Sequence, residues 1–421
     1  MNYREKSILI AGAGRSGLAS ARFLLARGAR VTLTDIMRRE ELEPGISGLI
    51  EAASSYPGQL TLELGRHRDE DFLNADLVVL SPGIPLSLRF PDLSRNAGIP
   101  VIAEIELAHR HLKGTIIGIT GSNGKTTTTA LTAELLAGAG LRAHAAGNIG
   151  IPLVDFADGS TEEDFHVVEL SSFQLESISD FRPFIGSILN ISPDHMDRYA
   201  GLDEYIAAKL RLFMNQKETD FSVLNADDKR ISAMRKETRA RIVEFSRLEP
   251  VGIGACVRNG HVVFRDGYSE TVLFPVNAVN LKGSHNLENV LASCAIAMLA
   301  GAAAASLGDS VRRFKGIEHR LEFVAELDGV RYFNDSKATN VAAALKSIDS
   351  FSGNIILIAG GRDKAGDFDA LRPLVRRRVK HLVALGEAAG KIKKSLGDST
   401  GTSDAHSMEE AVLIARRLAG P

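Results

Sequence analysis

Residues 118–129 read GITGSNGKTTTT, a glycine-rich stretch that fixes how the chain on either side of it folds. The β-branched run at 115–117 predicts a short strand directly before it. The apolar spacing of ALTAELLAGAG at 130–140 predicts a helix that opens on the Lys-Thr-Thr of the stretch and ends in glycine. A strand, a glycine-rich turn and a helix in this order are typical of a phosphate cradle at the edge of an α/β sheet.

The polar residues of this turn have the chemistry of a phosphate site. Glycines let backbone N–H groups approach phosphate oxygens, the start of the helix attracts anions, and Lys125 adds a positive charge. The hydroxyl of Thr126 or Thr127 can then reach a phosphate-bound Mg²⁺. The strict P-loop pattern fails at one position, because Ile119 stands where it requires a glycine. We predict an ATPase-type phosphate loop, the alternative being a glycine-rich turn that binds nothing.

Composition limits the class of protein. The 421 residues are too many for one core and predict about two to four domains. Apolar residues make up 44% and charged residues 24% of the chain, as in ordinary globular proteins. The formal net charge of −2 offers no basic field for nucleic acid or anionic membranes, so an anionic substrate must be held by local groups.

Three further features predict a cytoplasmic protein. The two cysteines, Cys256 and Cys294, have no metal-ligand spacing and fit a reducing compartment. The apolar run near the N-terminus is too short for a signal peptide. The longest apolar stretch, at 292–307, is interrupted by Ser and Gly and is shorter than a membrane span. We expect neither nucleic-acid nor membrane partners, and we expect a monomer.

The first hundred or so residues alternate strand and helix patterns and predict a Rossmann-like domain. A strand runs into Gly12-x-Gly14-x-x-Gly17 and a helix, and Asp35 ends the next strand about twenty residues beyond the glycines. This is the dinucleotide fingerprint with its ribose-binding carboxylate, although many doubly wound domains use the same turn for other nucleotides. DLVVLSPGIP at 76–85 is a buried strand that runs into a Pro-Gly turn at the edge where such sheets bind ligands.

Beyond the phosphate loop, successive predicted strands end in polar residues. Asn148 lies in a Gly-flanked loop, and Glu169 ends the strand of HVVELSSFQLE. The strand of SILNISPDHMDRY ends in a loop with Asp194, His195 and Asp197. Singly, His195 could cap a turn and Glu169 could pair with a lysine. Because both follow neighbouring strands of one sheet beside a phosphate site, the pattern favours metal ligands.

Two helices of this region carry further candidates. Lys209 lies among apolar residues of a helix predicted over 202–213, where a lysine ordinarily extends its ammonium group to the surface. A second helix, predicted over 281–301, is entered through Asn286, with Asn289 three residues later. Two amide side chains one turn apart suit paired hydrogen bonds to a purine edge, the alternative for Asn286 being a helix cap.

A third α/β unit follows a polar connector that contains Arg320. GVRYFNDSKATN is predicted as a strand that ends in Asp335, Lys337 and Thr339 before a helix. NIILIAGGRDKAGDF is predicted as a strand followed by a Gly-Gly turn and Lys364.

The predicted fold class is α/β with three consecutive domains and no fixed-period repeat. The boundaries are a Rossmann-like domain at 1–112, a central P-loop-type ATPase domain with a mostly parallel sheet at 113–316, and a Rossmann-like C-terminal domain at 317–421. Each domain contributes candidate polar residues at strand ends, which is the edge where such sheets bind ligands.

Together these segments resemble the Mur ligase family of peptidoglycan precursor synthesis. The motifs occur in the family's order across all three predicted domains: TGSNGKTTT, AGNIG, ELSSFQLE, DHMDRY, AAKLRLF, GSHNLENVLA, EHRLE, NDSKATN and GGRDK. NDSKATN discriminates most, because relatives that add other amino acids carry different sequences at that strand end. Folylpolyglutamate synthases resemble the phosphate loop and the central domain, but neither the first domain nor NDSKATN.

The resemblance implies an ATP-dependent ligase that adds D-glutamate to UDP-N-acetylmuramoyl-L-alanine through an acyl phosphate. It implies ATP, two Mg²⁺ ions, and CO₂ held as a carbamate on Lys209. The first domain would bind the UDP-sugar rather than NAD. The family's third domain usually continues, beyond the last residue of this sequence, into one more strand and a Ser- and Phe-containing loop that closes on D-glutamate.

The matched motifs imply a role for each candidate residue. Those implied for ATP are Gly121, Ser122, Asn123, Gly124, Lys125, Thr126, Thr127, Asn286, Asn289, Arg320 and Asp335. Those implied for the UDP-sugar and D-glutamate are Gly14, Ser16, Asp35, Gly83, Asn148, Ser171, Lys337, Thr339 and Lys364. The implied metal ligands are Thr126, Glu169, His195 and carbamylated Lys209. The implied catalytic residues are Lys125, Lys209, His195, Glu169 and Arg320.

Other functions remain open from the sequence alone. Within the ligases, the alternatives are another amino-acid-adding Mur ligase and a folylpolyglutamate synthase. An NAD-dependent oxidoreductase would use the turn at 12–17 but leaves the phosphate loop, Glu169, His195 and NDSKATN unexplained. A non-catalytic nucleotide-binding protein would bind ATP without forming an amide bond.

Overall fold

The computed structural model describes residues 2–86, 88–196, 198–281, 283–362 and 366–419. They fold into three α/β units in series, each with its own sheet or sheets. The α/β class with mostly parallel sheets, predicted from the sequence, is confirmed. Within this described part of the chain, no helix is both long and apolar enough to cross a bilayer.

The N-terminal unit consists of β1 (Ser7–Ala11), α1 (Arg15–Leu25), β2 (Arg30–Asp35), α2 (Gly45–Ala53), β3 (Gln59–Leu64), α3 (Asp69–Leu73), β4 (Leu77–Leu80), α4 (Arg89–Asn96), β5 (Val101–Ala103) and α5 (Glu104–His109). All five strands are parallel, in the order β3-β2-β1-β4-β5. The turn after β1 therefore opens where the strand order reverses, which is the edge at which doubly wound sheets bind ligands. A Cβ at Gly17 would lie 1.9 Å from the carbonyl oxygen of Gly12, so only glycine lets α1 start this close to β1.

The central unit consists of β6 (Thr115–Thr120), α6 (Lys125–Gly138), β7 (Arg142–Gly147), β8 (Asp164–Glu169), α7 (Ser172–Glu176), β9 (Ile185–Ile188), α8 (Leu202–Leu210), β10 (Phe221–Asn225), α9 (Lys229–Ala233), β11 (Arg241–Ser246), β12 (Ile253–Arg258), β13 (His261–Asp266), β14 (Glu270–Pro275), α10 (Ser284–Leu299) and α11 (Ala304–Arg313). Its nine-stranded sheet has the order β14-β13-β12-β11-β10-β9-β6-β8-β7, and the pairs β12/β13 and β13/β14 are antiparallel. β6 lies between β8 and β9 and is parallel to both, so the loops that follow these three strands share one edge.

The C-terminal unit consists of β15 (Glu322–Leu327), β16 (Val330–Asn334), α12 (Val341–Asp349), β17 (Ile355–Gly360), α13 (Arg372–Arg378), β18 (Val379–Leu385), α14 (Ala389–Leu396), β19 (Gly401–Ala405) and α15 (Met408–Ala419). β17, β18 and β19 form a parallel sheet with the helices packed on it, and β15 and β16 form a separate antiparallel hairpin. The predicted strand of GVRYFND is thus β16, which pairs with β15.

Two buried carboxylates on α5 join the N-terminal unit to the central one. Glu104 Oε1 accepts a 2.7 Å hydrogen bond from the backbone N–H of Val154. Glu106 Oε2 accepts from the N–H groups of Ser179 and Phe181 at 2.9 and 2.8 Å. Both glutamate side chains are shielded from solvent, so their hydrogen bonds are made in a medium of low polarity and fasten α5 to two loops of the central unit.

The helix after the phosphate loop begins at Lys125, as the Lys-Thr-Thr opening predicted, because Gly124 ends the turn directly before it. Two other predicted element boundaries in the central unit were wrong. The helix predicted over 202–213 ends at Leu210, and the residues that follow form the 3-10 turn Arg211–Phe213. The helix predicted over 281–301 begins at Ser284 and ends at Leu299.

Candidate active site

The phosphate loop connects β6 to α6 and depends on two glycines with positive φ. Gly121 has φ +152° and Gly124 has φ +85°, values that L-residues with a side chain rarely adopt. A Cβ at Gly124 would also lie 2.3 Å from Oδ1 of Asn289 on α10. The Lys125 ammonium donates to the carbonyl oxygens of Gly121 and Ser122, at 2.9 and 3.0 Å. The loop therefore presents a lysine and the start of a helix at the edge of the sheet.

Asn190, which the sequence reasoning missed, braces this loop. Its Oδ1 accepts from the backbone N–H of Asn123 at 2.9 Å, and its Nδ2 donates to the carbonyl oxygen of Asn123 at the same distance. Ser122 Oγ donates to the Ser192 carbonyl oxygen at 2.9 Å. The loop after β9 thus holds the phosphate loop by paired hydrogen bonds. The position of Asn190 two residues after a buried strand was the available signal.

Lys209 lies under the phosphate loop and not at the surface. Its side chain is 1% exposed, and its Nζ donates to Thr120 Oγ1 at 3.2 Å and to the Gly121 carbonyl oxygen at 3.0 Å. Burial, together with the positive charge of Lys125, holds the pKa of the Lys209 amine well below its usual value. Burial also lowers the pKa of Lys125. The alternative in which Lys209 extends its ammonium group to the surface is wrong, because α8 points the side chain into the core.

Glu169 ends β8 with one carboxylate oxygen unpaired. Oε1 accepts from Nδ2 of Asn148 at 2.9 Å, whereas the buried Oε2 has no hydrogen-bond partner among the described residues. The negative charge of Glu169 acts on the amines of Lys125 and Lys209, so these groups share one neighbourhood. An unpaired buried carboxylate oxygen facing a phosphate loop has the chemistry of a Mg²⁺ ligand.

His195 is held in an unusual backbone conformation. Its φ of 58° lies in the left-handed region, and its carbonyl oxygen accepts from the N–H groups of Arg198 and Tyr199 at 3.0 and 3.2 Å. The Phe173 ring packs edge-on against its imidazole, with the ring centroids 4.8 Å apart. No cluster of three or more His, Cys, Asp or Glu side chains suited to a metal occurs in the described ranges, so a metal here would need hydroxyl, phosphate or water ligands as well.

A small cavity of about 20 Å³ lies between the central and C-terminal units. Five of the predicted ATP residues line it, namely Asn123, Gly124, Asn289, Arg320 and Asp335. Asn190, His285 and Lys346 line it as well and were not predicted. His285 lies on α10 next to the predicted Asn286, whereas Lys346 comes from α12 of the other unit, far from the phosphate loop in sequence.

Charged groups in this cavity are strongly desolvated. Nε of Arg320 is buried without a hydrogen-bond partner among the described residues, and burial lowers the pKa of its guanidinium. Burial raises the pKa of Asp335, whose Oδ1 accepts from the N–H of Leu321 at 3.0 Å. Burial, with Lys346 and Arg320 nearby, lowers the pKa of His285 to about 4. The cavity wall thus carries positive charge without enough carboxylates to neutralise it, which suits an anionic ligand.

The asparagine pair on α10 is arranged as a unit. Asn289 Nδ2 donates to Asn286 Oδ1 at 3.1 Å, and both side chains are buried. The alternative in which Asn286 caps the helix is wrong, since Gly283 occupies the cap position and Asn286 lies inside the first turn.

A larger cleft of about 380 Å³ lies between the N-terminal and central units. Five of the predicted substrate residues line it, namely Gly14, Ser16, Asp35, Gly83 and Asn148. Asp35 is 9% exposed, and its two carboxylate oxygens accept from the N–H groups of Ala13 and Met37 at 2.7 and 2.9 Å. Asp35 therefore orders the glycine-rich turn while retaining lone pairs toward the cleft.

The remaining candidates lie elsewhere. Ser171 is the N-cap of α7, and its Oγ accepts from the N–H of Gln174 at 3.2 Å. Thr127 lies in the first turn of α6 with a buried Oγ1 that has no partner among the described residues, and Thr126 precedes it. Neither of these two cavities is lined by Ser171, Thr126, Thr127, Lys337 or Thr339. Lys364 and Asp197 lie outside the described residues.

Three family models match the chain in succession. Residues 6–103 match the family described as Mur ligase MurD-like, N-terminal domain. Residues 119–297 match the Mur ligase middle domain, and residues 319–421 match the Mur ligase, glutamate ligase domain. The doubly wound domain that carries the glycine-rich turn after β1 is thus a Mur ligase domain.

Relatives and solved structures agree with these matches. The chain is 44% identical to the UDP-N-acetylmuramoylalanine--D-glutamate ligase of Geobacter sp. strain M21, over 100% of this chain and 92% of the relative. It is 45% identical to the enzyme of the same name from Acidobacterium capsulatum, over 100% of this chain and 90% of the relative. In fold it resembles MurF from Acinetobacter baumannii, with a TM-score of 0.62, 15% identity, and coverage of 98% of this chain and 86% of the other. The chain belongs to the Mur ligase family.

Proposed function

We propose that this Mur ligase uses ATP to join D-glutamate to UDP-N-acetylmuramoyl-L-alanine. The names of relatives that are 44–45% identical over the whole chain support this substrate pair. One geometric observation carries the proposal. Asn148 lines the larger cleft and donates at 2.9 Å to Glu169, whose other carboxylate oxygen finds no hydrogen-bond partner in the described part of the chain. A substrate in the cleft would therefore present its reactive end to a nucleotide on that loop.

In this proposal ATP lies between the central and C-terminal domains. Lys125 and the hydroxyls of Thr126 and Thr127 hold the β- and γ-phosphates with the loop N–H groups. Asn286 and Asn289 contact the adenine edge, and Arg320 and Asp335 reach the nucleotide from the other side. Two groups support this, Nε of Arg320 in the cavity wall and the Thr127 hydroxyl, because neither has a hydrogen-bond partner within the described ranges.

Mg²⁺ would be held by Thr126, Glu169 and His195, with a second ion beside a carbamate on Lys209. The residues fit these groups in two respects. Glu169 offers a buried oxygen that has no hydrogen-bond partner among the residues described, and burial shifts the pKa of Lys209 toward its neutral amine, the form that reacts with CO₂. When bound, Mg²⁺ neutralises phosphate charge and orients the γ-phosphoryl group for in-line transfer. The carbamate would turn a buried amine into the anion that a second cation needs.

The chemistry would proceed in two steps. The L-alanyl carboxylate attacks the γ-phosphorus, forming a carbon–oxygen–phosphorus link as ADP leaves. The D-glutamate amine then attacks the acyl carbon, and the amide forms as inorganic phosphate departs. Lys125 and Arg320 would stabilise the charge that develops on the phosphoryl oxygens. Both steps need water excluded, because an acyl phosphate hydrolyses readily.

The substrate roles of the other candidates complete the proposal. Gly14, Ser16, Asp35 and Gly83 would bind the UDP group, and Asn148 and Ser171 the muramoyl end. Lys337, Thr339 and Lys364 would position D-glutamate. We further propose a cytoplasmic, monomeric enzyme, with domain boundaries close to 112 and 316.

The test is ADP release from Mg-ATP and UDP-N-acetylmuramoyl-L-alanine, with D-glutamate compared against L-glutamate, L-alanine and meso-diaminopimelate. Turnover with D-glutamate alone is expected. Turnover with another of these amino acids would identify a different member of the family. ATP binding without turnover in any mixture would contradict the ligase proposal and favour a nucleotide-binding protein.

A further inference from the structure

The side chain of Asn340 connects the C-terminal domain to the phosphate loop. Its Nδ2 donates to Oδ2 of Asp194 at 2.9 Å and approaches Oδ1 of Asn123 at 3.4 Å. Asn123 belongs to the phosphate loop, and Asp194 immediately precedes His195. One amide group of the C-terminal domain thus touches the two loops that follow β6 and β9.

The same side chain also starts α12. Asn340 Oδ1 accepts from the N–H of Ala343 at 2.8 Å, which makes Asn340 the N-cap of this helix. α12 carries Lys346 and Ser347 into the wall of the cavity that also contains Asn123. Because one amide both caps α12 and binds the loops, the position of this cavity wall is tied to the phosphate loop.

The contact with Asp194 has the features of a strong hydrogen bond. Its acceptor is a carboxylate whose side chain is only 10% exposed, so the bond is charge-assisted and partly shielded from water. The charge of Asp194 also acts on the amines of Lys125 and Lys209. Asp194 thus accepts the docking hydrogen bond and also interacts electrostatically with the two buried lysines.

We propose that Asn340 is a positioning residue that docks the C-terminal domain onto the phosphate loop through Asp194 and Asn123. The catalytic consequence rests on the proposed function, because docking would bring the Lys337–Thr339 segment to the nucleotide. Docking itself is a property of the chain and does not depend on which amino acid is added. Asn340 acts through Asp194 and the loop, without touching the reacting atoms.

Asn340→Asp separates docking from helix capping. Aspartate caps helices as well as asparagine does, so α12 keeps its start. The substitution removes the donor and places a second carboxylate against Asp194. A lost charge-assisted hydrogen bond corresponds to a shift of about tenfold or more in the ratio of docked to undocked molecules. The matched control is Asn334→Asp in the same NDSKATN segment, since the side-chain hydrogen bonds of Asn334 among the described residues go to His319 and Ser336 of its own domain.

The readout is small-angle X-ray scattering of the full chain, with a non-hydrolysable ATP analogue and Mg²⁺. We expect a larger radius of gyration for Asn340→Asp than for the wild type and the Asn334→Asp control. We also expect kcat to fall about tenfold while KM for the UDP-sugar, which binds at the other domain junction, stays unchanged. If Asn340→Asp has the same radius of gyration as the wild type, Asn340 serves only to cap α12 and the proposal is overturned.

A reciprocal pair tests the contact directly. In Asn340→Asp combined with Asp194→Asn, the amide and the carboxylate exchange places, and the hydrogen bond can form in the opposite sense. We expect the radius of gyration to return to the wild-type value, and a persistently expanded double variant would contradict a direct contact. Because scattering reports docking alone, a wild-type enzyme without D-glutamate turnover would overturn the proposed function and leave this result standing.

Discussion

Replacement of Lys209 gives the most direct test of the proposed carbamate. The Nζ of Lys209 donates to two oxygens, and each of these oxygens also takes part in a second hydrogen bond. Thr120 Oγ1 donates to the Leu170 carbonyl oxygen at 2.8 Å, and the Gly121 carbonyl oxygen also accepts from Lys125 at 2.9 Å. Neither acceptor is left unpaired when the amine is removed, so the fold does not depend on it.

Two variants with different volumes should therefore separate folding from chemistry. Lys209→Met keeps the buried stem filled and should cost about 1 kcal/mol or less. Lys209→Ala deletes buried methylenes, leaves a cavity and should cost about 2–4 kcal/mol, seen as a lower thermal midpoint. Both should reduce ADP release by a factor of ~10² or more, since each removes a group that stabilises charge in the reacting centre.

Small carboxylates supply the decisive comparison. Formate or acetate fits the cavity of Lys209→Ala and can replace the carbamate, so partial recovery of ADP release is expected there and not in Lys209→Met. Wild-type protein in ¹³C-labelled bicarbonate should show a carbamate signal by NMR that the methionine variant lacks. Unchanged activity in Lys209→Ala, or no carbamate signal in the wild type, would refute the reasoning.

Three further substitutions test separate parts of the structure. Gly124→Ala should weaken ATP binding at least about tenfold, because the Cβ of the new alanine would lie 2.3 Å from Asn289 and the backbone φ at this position is +85°. Titration with an ATP analogue measures the affinity, and an unaltered affinity would contradict the loop geometry. Asp35→Ala removes the acceptor for the N–H of Ala13, in the glycine-rich turn, and for the N–H of Met37, directly after β2. It should raise KM for the UDP-sugar while leaving KM for ATP unchanged, and an equal rise in both would count against separate sites. Burial raises the pKa of Glu104 from its ordinary 4.5 to about 7. Between these two pH values the folded state holds a proton that the unfolded state has lost, so the free energy of unfolding falls as pH rises through this window. Glu104→Gln should therefore be more stable than wild type at pH 8 by about 1 kcal/mol or more and lose this advantage below pH 4.5, as followed by thermal unfolding; a pH-independent difference would rule out this assignment.

The parts of the site that are local in sequence were predictable. Glycines and Lys125 directly after a β-branched strand specify the phosphate loop, because the backbone conformation and the charge lie within a dozen residues. Asp35 could be placed by its distance from the glycine turn. Family membership followed from the order of such motifs, and the family models confirm it.

Contacts between distant segments could not be predicted in the same way. Asn190 reads in the sequence as one more polar residue after a strand, and only the pairing of β9 with β6 brings it to Asn123. Lys209 has the local pattern of a surface lysine, and its burial depends on how α8 packs under the loop. The cap interpretation of Asn286 failed because Gly283, with φ +93°, ends the preceding turn and lets the helix begin one residue later.

The two glutamates of α5 have a consequence for how specificity can diverge. Glu104 and Glu106 bind backbone N–H groups, whose identity does not change with the side chain, so this fastening tolerates sequence drift in the loops at 153–154 and 179–181. The N-terminal and central units, which would carry the nucleotide-sugar and the phosphate loop, are thereby joined into one unit that can be exchanged as a whole. A chimera that keeps residues 2–316 and receives the C-terminal domain of another Mur ligase would need matching only at the few side chains that dock there, with Asn340 foremost among them.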